Sequence, residues 1–75
     1  MEAEPALRTG IRYAEANDFT WDAINGRWLL AQLFQRRGAV AVARTEFDKL
    51  RGIARAAGNR LVVDDCDEAL RALAS

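Results

Sequence analysis

The residues of this chain that could do chemistry are few, and together they do not form a catalytic set. Histidine is absent, and Cys66 is the single cysteine. Because no imidazole can activate its thiol, Cys66 is interpreted as a small buried apolar residue rather than a nucleophile. Four carboxylates lie at the predicted start of a helix, where they would stabilise the helix dipole and not flank a substrate. They are Asp64, Asp65, Asp67 and Glu68. The sequence therefore predicts a protein that is not an enzyme and that uses no metal or cofactor.

Binding is the chemistry that the other polar side chains favour. One narrow sector of the predicted helix 21–37 combines amides, an arginine and a tryptophan at its edge: Asn25, Trp28, Gln32, Gln35 and Arg36. Because guanidinium binds carboxylate through two hydrogen bonds and amides donate from the flanks, this face predicts an acidic protein or peptide partner. A solvated polar face is the simpler interpretation. The two tryptophans, Trp21 and Trp28, suit either a core or a binding hot spot, and the core is the default prediction for both.

A second candidate surface is basic. Arg44, Arg51 and Arg55 align along one side of the predicted helix 40–57, and Arg37 is not far away. Such a stripe is able to follow nucleic-acid phosphates. Against this interpretation, Asp48 interrupts the stripe and no helix-turn-helix, zinc-finger or RNA-binding motif is present. A solvated helical face is therefore the first interpretation, and a nucleic-acid interface is the alternative.

The composition predicts one globular domain spanning residues 1–75. A chain of 75 residues buries only about 60% of its unfolded surface, so we expect marginal stability that a partner or a second copy would increase. No apolar run is long enough to span a bilayer, and the segment 1–5 lacks the basic and apolar regions of a secretory signal. The sequence therefore predicts a protein of the cytoplasm that does not enter the membrane.

Charge is distributed unevenly along the chain. The net charge is −3 for residues 1–22, +6 for 23–60 and −3 for 61–75. A basic centre between acidic ends could attract an anionic partner, or the ends could fold back and neutralise the centre. The second interpretation is the simpler one.

Four predicted helices must position these surfaces. Apolar spacing and turn residues place them at about 6–16, 21–37, 40–57 and 65–74. Thr20 is the predicted N-cap of the second helix, and Gly38 is suited to end it in a left-handed conformation. Gly26, inside that helix, indicates a close helix crossing. Asp65-x-x-Glu68 resembles a capping box that would start the fourth helix, and the apolar run 60–63 could be extended.

The segment 24–57 contains a pattern of large and small apolar residues that is typical of a tight helical hairpin. Its positions are Leu30, Ala31, Phe34, Gly38, Ala43 and Phe47. The pattern resembles a single tetratricopeptide repeat, although Arg27 takes the place of the usual tryptophan and the closing proline is absent. The resemblance implies that the polar face of the second helix is a concave peptide-binding surface. It also implies an all-α, four-helix array with a central tetratricopeptide-like hairpin.

Taken together, these features predict a small protein–protein interaction module: an adaptor, inhibitor or regulatory subunit, with self-association into a homo-oligomer as one option. Two other functions stay open. One is a nucleic-acid-associated regulator that uses the basic face, and the other is a phage- or mobile-element-type inhibitor of a host protein.

Overall fold

The computed structural model describes residues 3–74, and this part of the chain consists of four helices joined by short turns. The helices are α1 (Ala3–Ala16), α2 (Thr20–Arg36), α3 (Val40–Ala56) and α4 (Arg60–Ala74). No strand occurs within residues 3–74. The predicted all-α, four-helix array is therefore confirmed.

The three turns share one backbone geometry. Asp18, Gly38 and Gly58 have positive φ angles of 59°, 77° and 73°. In each turn, the N–H of the residue after the positive-φ position donates to the carbonyl five positions earlier. In the second turn, for example, the N–H of Ala39 donates to the carbonyl of Phe34 at 3.0 Å. This pattern is a Schellman cap, which ends a helix and satisfies its last carbonyls. Short connections of this kind make antiparallel helical hairpins.

The turns recur every 20 residues, so a hairpin of two helices has a period of 40 residues. A tetratricopeptide repeat has about 34 residues, and its helices are correspondingly shorter. The resemblance to that family remains a prediction about the central hairpin.

The start of α2 differs from the prediction. Thr20 is the first helical residue and not the N-cap; Phe19 occupies the cap position and makes no side-chain cap hydrogen bond. Because the Schellman turn already fixes the backbone entering α2, the helix begins without a polar cap. Of the other helix ends predicted from sequence, those at 16, 40 and 74 agree with the structure, two differ by one residue and the start of α1 differs by three.

The start of α4 differs more. Residues 60–63 are helical and not extended, because α4 begins at Arg60. The side-chain oxygen of Asn59 accepts a hydrogen bond from the N–H of Val62 at 3.2 Å, which is a true N-cap. Asp65 and Glu68 therefore lie inside α4 and do not form a capping box at its start.

The helix α3 contributes the most deeply buried stripe of the core. One stripe of α3 is completely buried; its members are Ala43, Phe47, Leu50 and Ala54. Phe47 belongs to the same apolar cluster as Leu30 and Phe34 of α2. Cys66 of α4 also belongs to this cluster. The stripe is therefore the surface on which both neighbouring helices pack.

The helices form a single layer. Each helix packs only against its neighbours in sequence, in the pairs α1 with α2, α2 with α3 and α3 with α4 within residues 3–74. The Cα atoms occupy 37 × 34 × 14 Å. Most domains cover each helix with a second layer, whereas each helix described here packs only on its neighbours within the layer.

Gly26 marks a close crossing of α1 and α2, as the sequence predicts. A Cβ atom built on Gly26 would lie 2.8 Å from the Cγ1 atom of Ile11, which is buried. Gly52 of α3 is a matched contrast, because a Cβ atom there would meet nothing within 4 Å.

We predict opposite effects for alanine at these two glycines. Gly52→Ala should raise the free energy of unfolding by about 1 kcal/mol, since alanine favours a helix and no atom obstructs it. Gly26→Ala gains the same propensity but overpacks the crossing, a penalty of about 1–3 kcal/mol, so its net effect should be destabilising. Chemical denaturation of both variants measures the difference. A stabilised Gly26→Ala protein would contradict the close α1–α2 contact.

Candidate functional site

A groove lies between α2 and α4, above α3. Both helices pack on α3, and residues along most of their length form the two walls. We define the α2–α4 groove by two adjoining cavities of about 370 and 160 Å³ that share Trp28 and Asp65. The other lining residues are Gln35, Phe47, Glu68, Ala69 and Ala72 in the larger cavity, and Trp21, Ile24, Asn25 and Val62 in the smaller one. The larger volume is within the range of small-ligand sites.

Aromatic side chains connect the α2–α4 groove to the core. The ring of Trp28 meets that of Phe47 edge-on, with 5.2 Å between centroids. Because Phe47 is completely buried, this contact holds the half-buried Trp28 in one orientation. Trp21 is different: 66% of its surface is exposed at the other end of the groove. The default prediction of a core position is therefore wrong for Trp21, whereas Trp28 belongs partly to the core and partly to the groove.

The structure brings together three of the five residues predicted to bind a partner. Asn25, Trp28 and Gln35 line the α2–α4 groove. Gln32 and Arg36 lie on the same helix but are not among its lining residues. These two residues lie outside the groove because only the side of α2 that faces α4 forms its wall. The sequence of α2 alone does not identify that side.

The wall contributed by α4 was not predicted. Its residues are Val62, Asp65, Glu68, Ala69 and Ala72. The spacing of 62, 65, 69 and 72 is that of one helical face, so the signal was present. A fourth helix that starts at 65, as the sequence predicts, lacks Val62, and its carboxylates then lie in the first turn and not on a groove wall.

The charge of the α2–α4 groove is negative. Asp65 and Glu68 are exposed along its α4 wall, and no ion pair within residues 3–74 involves either one. No arginine or lysine of the described chain is among the lining residues. This charge is the opposite of the one that Arg36 was predicted to provide.

The predicted basic face is largely engaged by neighbouring helices. The Arg51 guanidinium donates to Asp67 at 2.8 Å, and this hydrogen bond raises the pKa of Arg51. Arg44 reaches the carbonyl of Leu73 at 3.5 Å. Such contacts orient the arginine side chains toward α4 and reduce the positive charge available to a phosphate backbone.

Other ion pairs join the basic middle of the chain to its acidic beginning. Arg37 donates to Glu4 at 3.2 Å, and Arg27 donates to Glu15 at 2.9 Å. Hydrogen bonds from Arg8 and Arg37 also lower the pKa of Glu4. These contacts agree with the simpler interpretation of the charge pattern, in which the acidic ends neutralise the centre. Of the predicted basic face, Arg55 lies apart, beside the turn that joins α3 and α4.

Cys66 is fully buried beneath α4. Burial, with the nearby charges of Asp65 and Asp67, raises the pKa of its thiol to about 11. A thiol in this environment is inert as a nucleophile at neutral pH. Within residues 3–74, no group of three potential metal-ligating side chains converges.

The Cys66 thiol should make the stability of the fold depend on pH in the alkaline range. Well below pH 9 the thiol is protonated in both the folded and the unfolded chain. Between pH 9 and pH 11 only the unfolded chain loses this proton, because the pKa of the folded thiol is about 11, so the folded state loses relative stability over this range. We expect the free energy of unfolding to fall between these values by on the order of 2 kcal/mol more in the parent protein than in Cys66→Ala. Denaturant titrations at both pH values provide the measurement. Equal losses in the two proteins would show that the thiol is not buried as described.

Comparisons with protein-family models, curated proteins and solved structures found no match to this chain. Within the described residues, none of the helices has the length and apolar character that crossing a bilayer requires.

Proposed function

We propose that this protein is a non-catalytic protein-interaction module that binds a segment of another protein in the α2–α4 groove. The observation that carries the proposal is the position of Trp21 and Trp28, which line one continuous groove while Trp28 is held by the buried ring of Phe47. Tryptophans at the edge of a preformed apolar surface supply much of the energy of protein interfaces.

The shape of the groove supports a peptide rather than a globular surface as the ligand. It follows α2 from Trp21 to Gln35 and α4 from Val62 to Ala72, and its lining mixes aromatic rings, alanines, amides and two carboxylates. A trough of this kind accommodates side chains of an extended or helical segment, and the amides of Asn25 and Gln35 can pair with its polar groups. The predicted tetratricopeptide-like hairpin would act in the same way, with α2 as its binding helix.

An adaptor, inhibitor or regulatory subunit in the cytoplasm is the role that we propose for such a module. The compartment is consistent with the lone buried Cys66, since the described fold is held together without disulfide bonds.

The test compares two exposed aromatic residues, one inside the groove and one outside it. Trp21 and Tyr13 are 66% and 63% exposed, and only Trp21 lines the α2–α4 groove. Trp21→Ala should abolish capture of partner proteins from a lysate of the native host, because it removes a groove anchor without disturbing the core. Tyr13→Ala should retain capture. Captured proteins are identified by mass spectrometry and tested again in purified form.

Circular dichroism first confirms that both variants remain folded. Equal capture by Trp21→Ala and the parent protein would exclude the α2–α4 groove as the binding surface. Nuclease-sensitive capture that is lost in Arg44→Ala/Arg55→Ala, but not in Trp21→Ala, would instead support nucleic-acid binding by the basic face.

A further inference from the structure

The charges along the α2–α4 groove indicate which kind of peptide it takes. We infer that the groove binds a segment whose central side chain is basic, with an arginine or lysine placed between the ring of Trp28 and the carboxylates of Asp65 and Glu68. This inference rests on the proposed function and adds the chemistry of the partner to it.

The first argument is charge complementarity. Asp65 and Glu68 are separated by three positions on α4 and therefore lie on neighbouring turns of the same wall. Neither carboxylate is paired with a cation inside residues 3–74. An acidic peptide would be repelled here, whereas a guanidinium can donate to a carboxylate through two charge-assisted hydrogen bonds.

The second argument comes from the opposite wall and is independent of the carboxylates. Trp28 has its ring fixed by an edge contact with Phe47 and still lines both cavities of the groove. A cation within about 6 Å of a tryptophan ring is attracted by the electrons of its face. Carboxylates on one wall and an indole on the other therefore both favour the same ligand group.

The third argument is that the other two carboxylates of α4 lie in different surroundings. Asp67 is occupied by Arg51, and Asp64 lies beside the α3–α4 turn, in a cavity that also contains Arg55 and Arg60. Only Asp65 and Glu68 combine a negative charge with an aromatic surface and no competing arginine in the lining.

The experiment uses tryptophan fluorescence, because the two tryptophans of the chain both line the groove. Three capped peptides serve as probes: Ac-Ala-Leu-Arg-Leu-Ala-NH2, the same peptide with citrulline in place of arginine, and the same peptide with glutamate. The arginine peptide should give a saturable change. The neutral citrulline peptide, which has nearly the same shape, should bind at least roughly fivefold more weakly, and the glutamate peptide more weakly again.

Two double variants with the same change in net charge test the site. Asp65→Asn/Glu68→Gln removes the groove carboxylates and should bring the affinity for the arginine peptide to that for the citrulline peptide. Asp48→Asn/Asp64→Asn removes two exposed carboxylates outside the groove and should leave the ratio between the two peptides unchanged. Raising the ionic strength should weaken the arginine peptide alone.

Several results would overturn the inference: no saturable change with the arginine peptide at millimolar concentrations, equal affinity for the arginine and citrulline peptides, tighter binding of the glutamate peptide, or an unchanged ratio in Asp65→Asn/Glu68→Gln. If one of these occurs while Trp21→Ala still abolishes capture from lysate, the groove binds a partner of different charge and the proposed function stands. If Trp21→Ala captures partners normally, the proposed function itself fails.

Discussion

The contact between Phe47 and Trp28 connects the interior of this protein to its candidate binding surface. Phe47 is fully buried in the stripe of α3 on which both α2 and α4 pack, and its ring meets that of Trp28 at the base of the α2–α4 groove. Any change that moves Phe47 therefore alters the spacing of the helices and the orientation of Trp28 together. In a domain of this size, with little stability to spare, the core and the groove depend on the same few side chains.

The single-layer arrangement explains why such a small chain has a groove at all. Three Schellman turns 20 residues apart give helices of similar length, and each helix contacts only its sequence neighbours within the described chain. Both α2 and α4 pack on α3 but not on each other within residues 3–74, so they stand as separate walls. A compact four-helix bundle would have buried both walls against each other.

The distribution of ion pairs follows from the same arrangement of helices. The acidic ends of the chain are helices that flank the basic middle, and ion pairs such as that between Arg51 and Asp67 cross from one helix to the next. These ion pairs neutralise charge between neighbouring helices. They leave Asp65 and Glu68 unpaired within residues 3–74, on the α4 wall of the groove. The negative charge of the candidate site therefore depends on which carboxylates the ion pairs leave unpaired, and no single segment of the sequence determines it.

The sequence alone determined the local features of this protein. Apolar spacing at helical intervals identified the four helices, Gly38 marked a left-handed turn, and Gly26 marked a close crossing, because each of these depends on neighbouring residues or on the absence of a side chain. The tertiary structure decided what required knowledge of distant residues. It exposed Trp21 and placed Asp65 in the same groove as Trp28, because the wall of a groove is defined by the helix opposite to it.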